Sequence, residues 1–204
     1  PYNPHNVLVR CDMTGAYVTH NAGAKWTRFN LHSPVRFYVF DPLDSNIVYA
    51  NSIALYKSTD KGATWHVLYP AATEIAGIVS KGDHAEEVVV TKDSTRRHVL
   101  ALAVDPAASN KLYAAISINK NSALYFSDDG GLQWTKEKEL EDGATNIFIV
   151  PNSPKEDRTL YITGRNTITQ REGGVWKLNK GPQGVTLLTS CTGGFDAQQK
   201  KFII

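Results

Sequence analysis

The chain has 204 residues, of which 42% are hydrophobic and 21% charged, and its mean hydropathy is −0.30. These values are typical of a globular domain with a sizeable core. The formal net charge is only +2 and the two signs are interspersed, which argues against a nucleic-acid or anionic-membrane partner. No apolar stretch approaches the roughly 20 residues of a membrane-spanning helix.

The cysteines and the first residues of the chain add little. Cys11 and Cys191 have no metal-type spacing, so the sequence favours two buried thiols, with a disulfide as the alternative. The chain begins at Pro1 without a methionine, and we expect a processed or truncated amino terminus. We expect neither a metal nor a cofactor.

Three short segments share the pattern Ser/Thr-x-Asp/Asn-x-Gly-x-x-Trp: Thr19–Trp26, Ser58–Trp65 and Ser127–Trp134. Ser/Thr and Asp/Asn side chains close turns by bonding nearby backbone N–H groups, and Gly supplies a positive φ. The Trp begins the return strand and covers the hairpin with its ring. The pattern predicts three equivalent hairpin turns with equivalently packed tryptophans.

Longer repeats surround these boxes. Each runs strand, Asp-Pro turn, strand, loop, strand, box, strand, and β-branched or aromatic runs between turn residues support the strands. The corresponding pieces are Asp41-Pro42, Asn46–Ala50 and Ala54–Ser58 in one repeat, and Asp105-Pro106, Asn110–Ala114 and Ala123–Ser127 in the next. We find no helix of ten residues, so the fold class is all-β, with four-stranded antiparallel blades of ~40–50 residues.

The remaining repeats are incomplete. Asn6–Arg10 is predicted to be the second strand of the first blade, and Lys201–Ile204 the second strand of a fifth. A fourth blade lacks a box: we predict its middle strands at Thr159–Ile162 and Gly174–Leu178, with Asn179–Pro182 in the place of the box. The predicted blades are 1–34, 35–97 with an insertion at 70–97, 98–144, 145–188 and part of a fifth at 189–204.

The repeats resemble those of the Asp-box, or BNR-repeat, β-propellers, a superfamily that includes sialidases, other glycoside hydrolases, polysaccharide lyases, sortilin-type receptors and a photosystem assembly factor. The resemblance covers nearly the whole chain and implies one propeller domain, part of a ring that is seven-bladed in many relatives. A closed four-bladed ring, with Thr189–Phe195 as the missing first strand, is the alternative. The box is a structural turn, so it indicates fold rather than function.

The resemblance also implies where a ligand binds. Because strands alternate in direction, the Asp-Pro turns and boxes lie at one edge of each blade, and ligands bind at the other edge in similar propellers. The insertion Pro70–Arg97 belongs to that second edge, and a long loop there is typically functional or disordered. Within it, His84 beside Asp83 is our candidate for general acid–base chemistry, because a carboxylate can orient an imidazole that titrates near neutrality.

Arginines at the same edge are candidates for binding an acidic sugar, since a guanidinium matches a carboxylate bidentately. They are Arg36, Arg96, Arg97 and Arg165, with Asp12 and His32 as weaker candidates. A sialidase would have Ile-Pro after its first arginine, whereas Phe37-Tyr38 follows Arg36 here. We therefore expect a secreted or periplasmic carbohydrate-active propeller that binds and cleaves an acidic oligo- or polysaccharide, by hydrolysis or β-elimination. The alternative is a non-catalytic interaction or assembly propeller, and either would involve the remainder of the ring as a partner.

Overall fold

The computed structural model describes residues 3–11, 15–80, 87–181, 183–184, 193–196, 198 and 201–203, and these form short antiparallel strands. The predicted all-β fold class is confirmed. The only helical element in this part of the chain is a 3-10 turn, Ala72–Glu74, so the described residues contain no helix able to cross a membrane. Two compact units are present, Pro1–His98 and Val99–Ile204.

The first unit holds three sheets in which strand order follows chain order. Asp12 lies outside the described residues. The three-stranded sheet is β1 (Val7–Arg10), β2 (Ala16–Thr19) and β3 (Thr27–Phe29); the four-stranded sheet is β4 (Phe37–Phe40), β5 (Val48–Asn51), β6 (Leu55–Ser58) and β7 (His66–Tyr69); the hairpin is β8 (Ile75–Ser80) and β9 (Glu87–Thr91).

The second unit repeats the four-stranded antiparallel design twice and adds a two-stranded pair. The first sheet comprises β10 (Arg97–Asp105), which starts at the end of the first unit, β11 (Ala108–Ile118), β12 (Asn121–Ser127) and β13 (Thr135–Leu140). The second comprises β14 (Asn146–Ile149), β15 (Leu160–Thr163), β16 (Thr167–Glu172) and β17 (Val175–Lys180), and the pair is β18 (Gly194–Asp196) with β19 (Lys201–Ile203).

Each unit has its own hydrophobic core. In the first, buried Ala50, Leu31 and Tyr56 pack together, and Trp65 and Val89 cover them. The inserted hairpin is therefore held against the blade by a side chain of β9. In the second unit, the two four-stranded sheets pack through a second set of buried residues: Ala101, Tyr113, Ala115, Leu124, Leu140, Ile147, Leu160 and Ile162.

The Asp-Pro turn of the second unit is fixed by a buried ion pair. Arg158 donates from Nε and Nη2 to the two carboxylate oxygens of Asp105, at 2.6 and 2.7 Å, and both side chains are 1% exposed. The Nη1 of Arg158 donates to the carbonyls of Pro151 and Ser153. Burial alone would raise the pKa of Asp105, but the hydrogen bonds and charge of Arg158 hold that pKa below its usual range.

The three boxes form the same hydrogen-bonded turn. In each, the hydroxyl of the first residue donates to the side chain of the third and accepts the N–H of the glycine at the fifth. The third side chain also accepts the N–H of the seventh residue. The fourth and fifth residues both have positive φ, which explains the glycine; they are Ala22 and Gly23, Lys61 and Gly62, and Gly130 and Gly131.

The tryptophans of these boxes do not pack equivalently, which corrects our expectation. Trp26 is 42% exposed. Trp65 is half-buried and stacks on Phe29, with ring centroids 5.3 Å apart, beside Tyr38 of β4. Trp65 gains this environment because its turn lies beside the preceding sheet. The turn chemistry is local and repeats, whereas the surroundings of the ring depend on the neighbouring sheet.

The last four-stranded sheet also corrects the sequence prediction. The third strand is β16, within the segment expected to be a loop, and the segment expected to be the third strand is the fourth, β17. Gly173 and Gly174, both with positive φ, form the turn between them in place of a box. A two-residue Gly-Gly turn has the twist that joins antiparallel strands tightly, so no box is needed.

Candidate functional site

A cavity of about 440 Å³ lies in the first unit, between the four-stranded sheet β4–β7 and the inserted hairpin. Its wall on the sheet side is formed by Ser33, Arg36, Ser52 and Ile53. The pairing of Phe37 with Asn51 puts these residues at one edge of the sheet, and the box Ser58–Trp65 is at the opposite edge. The cavity therefore occupies the edge at which the sequence predicted a ligand.

The other wall comes from the insertion. The sequence predicted a long loop here, but β8 and β9 form a hairpin whose Val79, Val88 and Val90 line the cavity. The consecutive β-branched residues Val88–Thr91 favour strand over irregular loop, and Val89 anchors the hairpin on the core. Residues 94–98, which lead from the hairpin into the first two residues of β10, complete the lining.

Arg97 stabilises the base of the inserted hairpin. Its guanidinium donates to the carboxylates of Glu74, at 2.8 Å, and Asp93, at 2.7 Å, and its Nε donates to the hydroxyl of Thr95. The Arg97 side chain is only 13% exposed. Although Arg97 contributes to the cavity wall, its hydrogen-bonding groups are directed to residues of the chain itself.

Arg36 and Arg96 reach the same cavity from different segments, one just before β4 and one just before β10, and both are exposed. The Arg36 backbone is fixed on both sides: its N–H donates to Asn51 O at 2.7 Å, and its carbonyl accepts from Arg10 Nη1. No carboxylate among the described residues is paired with the Arg36 guanidinium within salt-bridge distance. Two arginine side chains from different segments therefore line the cavity.

His98 is the third basic group of the cavity, and the sequence did not single it out. Partial burial of the imidazole lowers the pKa of His98 below its ordinary value, and the positive charges of Arg36 and Arg96 lower it further. This electrostatic effect indicates that both arginines act on the same small volume. The only sequence signal was the run Arg96-Arg97-His98 at the end of the insertion.

His32 lies beside the cavity rather than on its lining. Its Nδ1 is 2.6 Å from the Oε2 of Glu87, the first residue of β9, and Glu87 lines the cavity. The backbone of His32 has φ +73°, a left-handed conformation stabilised by a hydrogen bond from its N–H to the side chain of Asn30. The interaction ties the segment before β4 to the hairpin.

Three of the predicted site residues, Asp12, Asp83 and His84, lie outside the described residues. Arg165 belongs to the second unit, where it is exposed in the connection between β15 and β16. The next residue, Asn166, donates its N–H to the carboxylate of Asp142, which holds that connection. No group of three or more potential metal ligands occurs within the described part of the chain.

The second unit has a cavity of its own, of about 540 Å³, at the turn between β11 and β12. Its charged lining is mixed, with Lys120 and Lys136 facing Glu139 and Glu141, and Lys136 is paired with Glu139. Arg165 does not contribute to it. This balance of charge contrasts with the basic cavity of the first unit.

No protein-family model and no curated protein matches the chain. Among solved structures it is similar to an ancestral GH74 enzyme, with a TM-score of 0.61 and 15% identity over 89% of this chain. YCF48 bound to D1 peptide gives a TM-score of 0.49 at 15% identity over 87%, and the GH74 xyloglucanase from Xanthomonas campestris 0.39 at 14% over 97%.

These similarities concern the fold. The chain spans 23% of the ancestral GH74 enzyme, 52% of the YCF48 chain and 36% of the xyloglucanase. At 15% identity, the ancestral enzyme shows the class of structure only. With the repeated four-stranded antiparallel sheets, it identifies the chain as part of a β-propeller.

Proposed function

We propose that the chain is part of a secreted or periplasmic Asp-box β-propeller that binds and cleaves a glycan carrying an acidic sugar. The three identical box turns support the Asp-box assignment. The observation that carries the ligand class is the convergence of Arg36, Arg96 and His98 on one cavity. Its volume, about 440 Å³, falls within the range of small-molecule sites.

The charges favour an anion. Among the charged residues that line the cavity, Arg97 is neutralised by Glu74 and Asp93, and Glu87 is paired with His32. The other charged side chains of the lining are Arg36 and Arg96, so the charged lining is basic. A guanidinium binds a sugar carboxylate through two parallel hydrogen bonds, which sets the orientation of the ring as well as its affinity.

Cleavage is assigned to the segment that joins β8 to β9, in which His84 and Asp83 are the proposed acid–base pair. If the sugar is a uronate, an arginine on its carboxylate makes the proton on the adjacent carbon more acidic. When an imidazole removes that proton, the electron pair of the broken C–H bond forms a carbon–carbon double bond, and the oxygen on the next carbon departs and takes a proton from water; this is a β-elimination. Protonation of the glycosidic oxygen with attack by water gives the hydrolytic alternative.

Binding is tested by calorimetry of the chain with tetragalacturonate and with a neutral oligosaccharide of equal length. Arg36→Gln and Arg96→Gln should each weaken binding of the acidic sugar by about 10–100-fold, the value of a lost charge-assisted hydrogen bond. Arg28→Gln, an exposed arginine of β3, is the matched control and should leave affinity unchanged. Equal affinity for the two sugars would overturn the assignment of an acidic ligand.

Cleavage is tested separately. His84→Ala should reduce turnover by ~10²–10⁴-fold, the usual contribution of a general acid–base group, while leaving binding in place. Unsaturated uronate in the products identifies β-elimination, and a new saturated reducing end identifies hydrolysis. Binding without products in either assay would contradict the enzymatic part of the proposal.

The second candidate is a non-catalytic interaction propeller, and the apolar side of the cavity favours it. Val79, Val88 and Val90 line the cavity, and its described lining contains no phenylalanine, tyrosine or tryptophan ring on which a sugar could stack. Ile78 and Val79 of β8 are also more than 40% exposed. Such a wall suits an extended peptide with acidic and aliphatic residues, and tighter binding of such a peptide than of tetragalacturonate would favour this candidate.

A further inference from the structure

The basic cavity contains one group whose charge can change near neutral pH. His98 lines it together with Arg36 and Arg96, and the arginines keep their charge at any physiological pH. An anion placed among these three groups would offset the repulsion that the arginines exert on an imidazolium. Binding of the anion and protonation of His98 therefore favour each other.

We infer that this cavity is a pH-dependent anion site, in which His98 takes up a proton as the ligand carboxylate binds, so that affinity rises as the pH falls. This inference rests on the proposed function, because it concerns regulation of the same site. It gives His98 a role in ligand capture that is distinct from the acid–base role proposed for His84. A sugar carboxylate remains ionised between pH 5 and pH 8, so the ligand itself contributes no titration in that range.

The other charged groups around His98 have to be considered as well. Arg97 is held by Glu74 and Asp93, and hydrogen bonds from Thr91, Thr95 and Arg97 keep the pKa of Asp93 well below its usual range. Glu87, on β9, is paired with His32, the histidine that lies beside the cavity. Variants of both histidines are therefore required.

The size of the effect follows from linkage. Each pH unit by which the bound anion raises the pKa of His98 corresponds to a tenfold gain in affinity between the deprotonated and the protonated site. The gain is confined to the interval between the pKa of the free protein and that of the complex. Above both values the affinity is constant, because His98 is neutral with and without ligand.

The test measures tetragalacturonate binding by calorimetry at several values between pH 5 and pH 8 for the unmodified chain, His98→Gln and His32→Gln. His66→Gln, an exposed histidine at the box edge of β7, is the control. The inference predicts that the affinity for tetragalacturonate increases about tenfold towards pH 5 in the unmodified chain, in His32→Gln and in His66→Gln. In His98→Gln the affinity should not change with pH. A pH dependence of the affinity that persists in His98→Gln but disappears in His32→Gln would overturn the inference.

An NMR titration of the unmodified chain provides a second measurement that needs no variant. The pKa of His98 should rise when tetragalacturonate is present, and an unchanged pKa would overturn the inference. Binding with equal affinity at every pH would refute the coupling and leave the proposed function standing. Absence of binding at every pH would refute both the proposed function and the inference.

Discussion

Replacing Arg158 should lower the stability of the second unit more than replacing any exposed arginine would. In Arg158→Met, the carboxylate of Asp105 stays buried and retains the N–H of Ala107 as a hydrogen-bond donor, while the carbonyls of Pro151 and Ser153 lose theirs. A buried ion pair that loses one partner costs about 3–5 kcal/mol of unfolding free energy. Because both side chains are 1% exposed, we expect a loss in this range at pH 7.

The stability lost in Arg158→Met should depend on pH in a defined direction. In the unmodified chain Arg158 lowers the pKa of Asp105, so the ion pair stabilises the fold above the unfolded-state pKa and is lost as the pH falls through the folded-state pKa. In Arg158→Met burial raises the pKa of Asp105 instead, and the carboxyl becomes neutral at a higher pH. The difference in stability between the two proteins should therefore be largest at pH 7 and smaller near pH 4.

Urea unfolding, followed by tryptophan fluorescence and circular dichroism, measures both effects. Arg171→Met is the control, because Arg171 also makes two ion pairs but is 18% exposed, and it should lose less stability. The double variant Asp105→Asn/Arg158→Met should be more stable than Arg158→Met alone, since it contains no unpaired charge. A loss below about 1 kcal/mol in Arg158→Met would refute the reasoning.

Three further results are expected from the boxes and the insertion. Gly62→Ala should cost about 1–3 kcal/mol of unfolding free energy, because φ at Gly62 is +90° and the new methyl would lie 2.9 Å from a Leu8 side-chain carbon. Gly77→Ala is the control: the space around Gly77 is open, so urea unfolding should show a change below about 0.5 kcal/mol. Trp65→Ala should lose about 2–3 kcal/mol, less than a fully buried ring because Trp65 is half-buried, and Trp26→Ala about 1 kcal/mol or less. Equal losses would contradict their different packing. Hydrogen bonds from Thr64 lower the pKa of Asp60 to about 2. The ionised Asp60 therefore stabilises the fold above the unfolded-state pKa of 3.8, and this contribution is lost as the pH falls to about 2. The stability of Asp60→Asn should depend less on pH over that interval in acid unfolding.

The turns could be predicted because their chemistry is local. A hydroxyl, a carboxylate or amide and a glycine within five residues are sufficient to define the box, so the three boxes were identified without any knowledge of the neighbouring strands. The surroundings of the tryptophans could not be predicted in the same way. Phe29 beside Trp65 comes from the preceding sheet, and that contact depends on how the sheets pack.

The errors in the last blade and in the insertion have physical causes. Gly173-Gly174 carries a strong hairpin signal, but the repeat pattern puts the place of the box at Asn179–Pro182 and so predicts the turn beyond these glycines. In the insertion, the repeat pattern predicts a loop where the valines of β9 form a strand, and β8 and β9 pair only with each other. A hairpin outside the repeat has no counterpart in the other blades, so the repeat pattern could not reveal it.

The site was partly predictable from strand direction. Strand direction predicts that the residues before β4 and before β10 lie at ligand-facing edges, so Arg36 and Arg96 are both candidates, and both line the cavity. The different role of Arg97 depends on Glu74 and Asp93, whose positions follow from the fold of the hairpin. His98 could not be selected from the sequence, because its place on the cavity lining with Arg36 and Arg96 depends on the fold.

The most direct test of the account is a crystal structure of the chain with tetragalacturonate bound. We predict that a sugar carboxylate occupies the cavity between β4–β7 and the inserted hairpin, with its oxygens about 2.7–2.9 Å from the guanidinium nitrogens of Arg36 or Arg96. A saccharide bound elsewhere on the chain, with no contact to either arginine, would contradict the account.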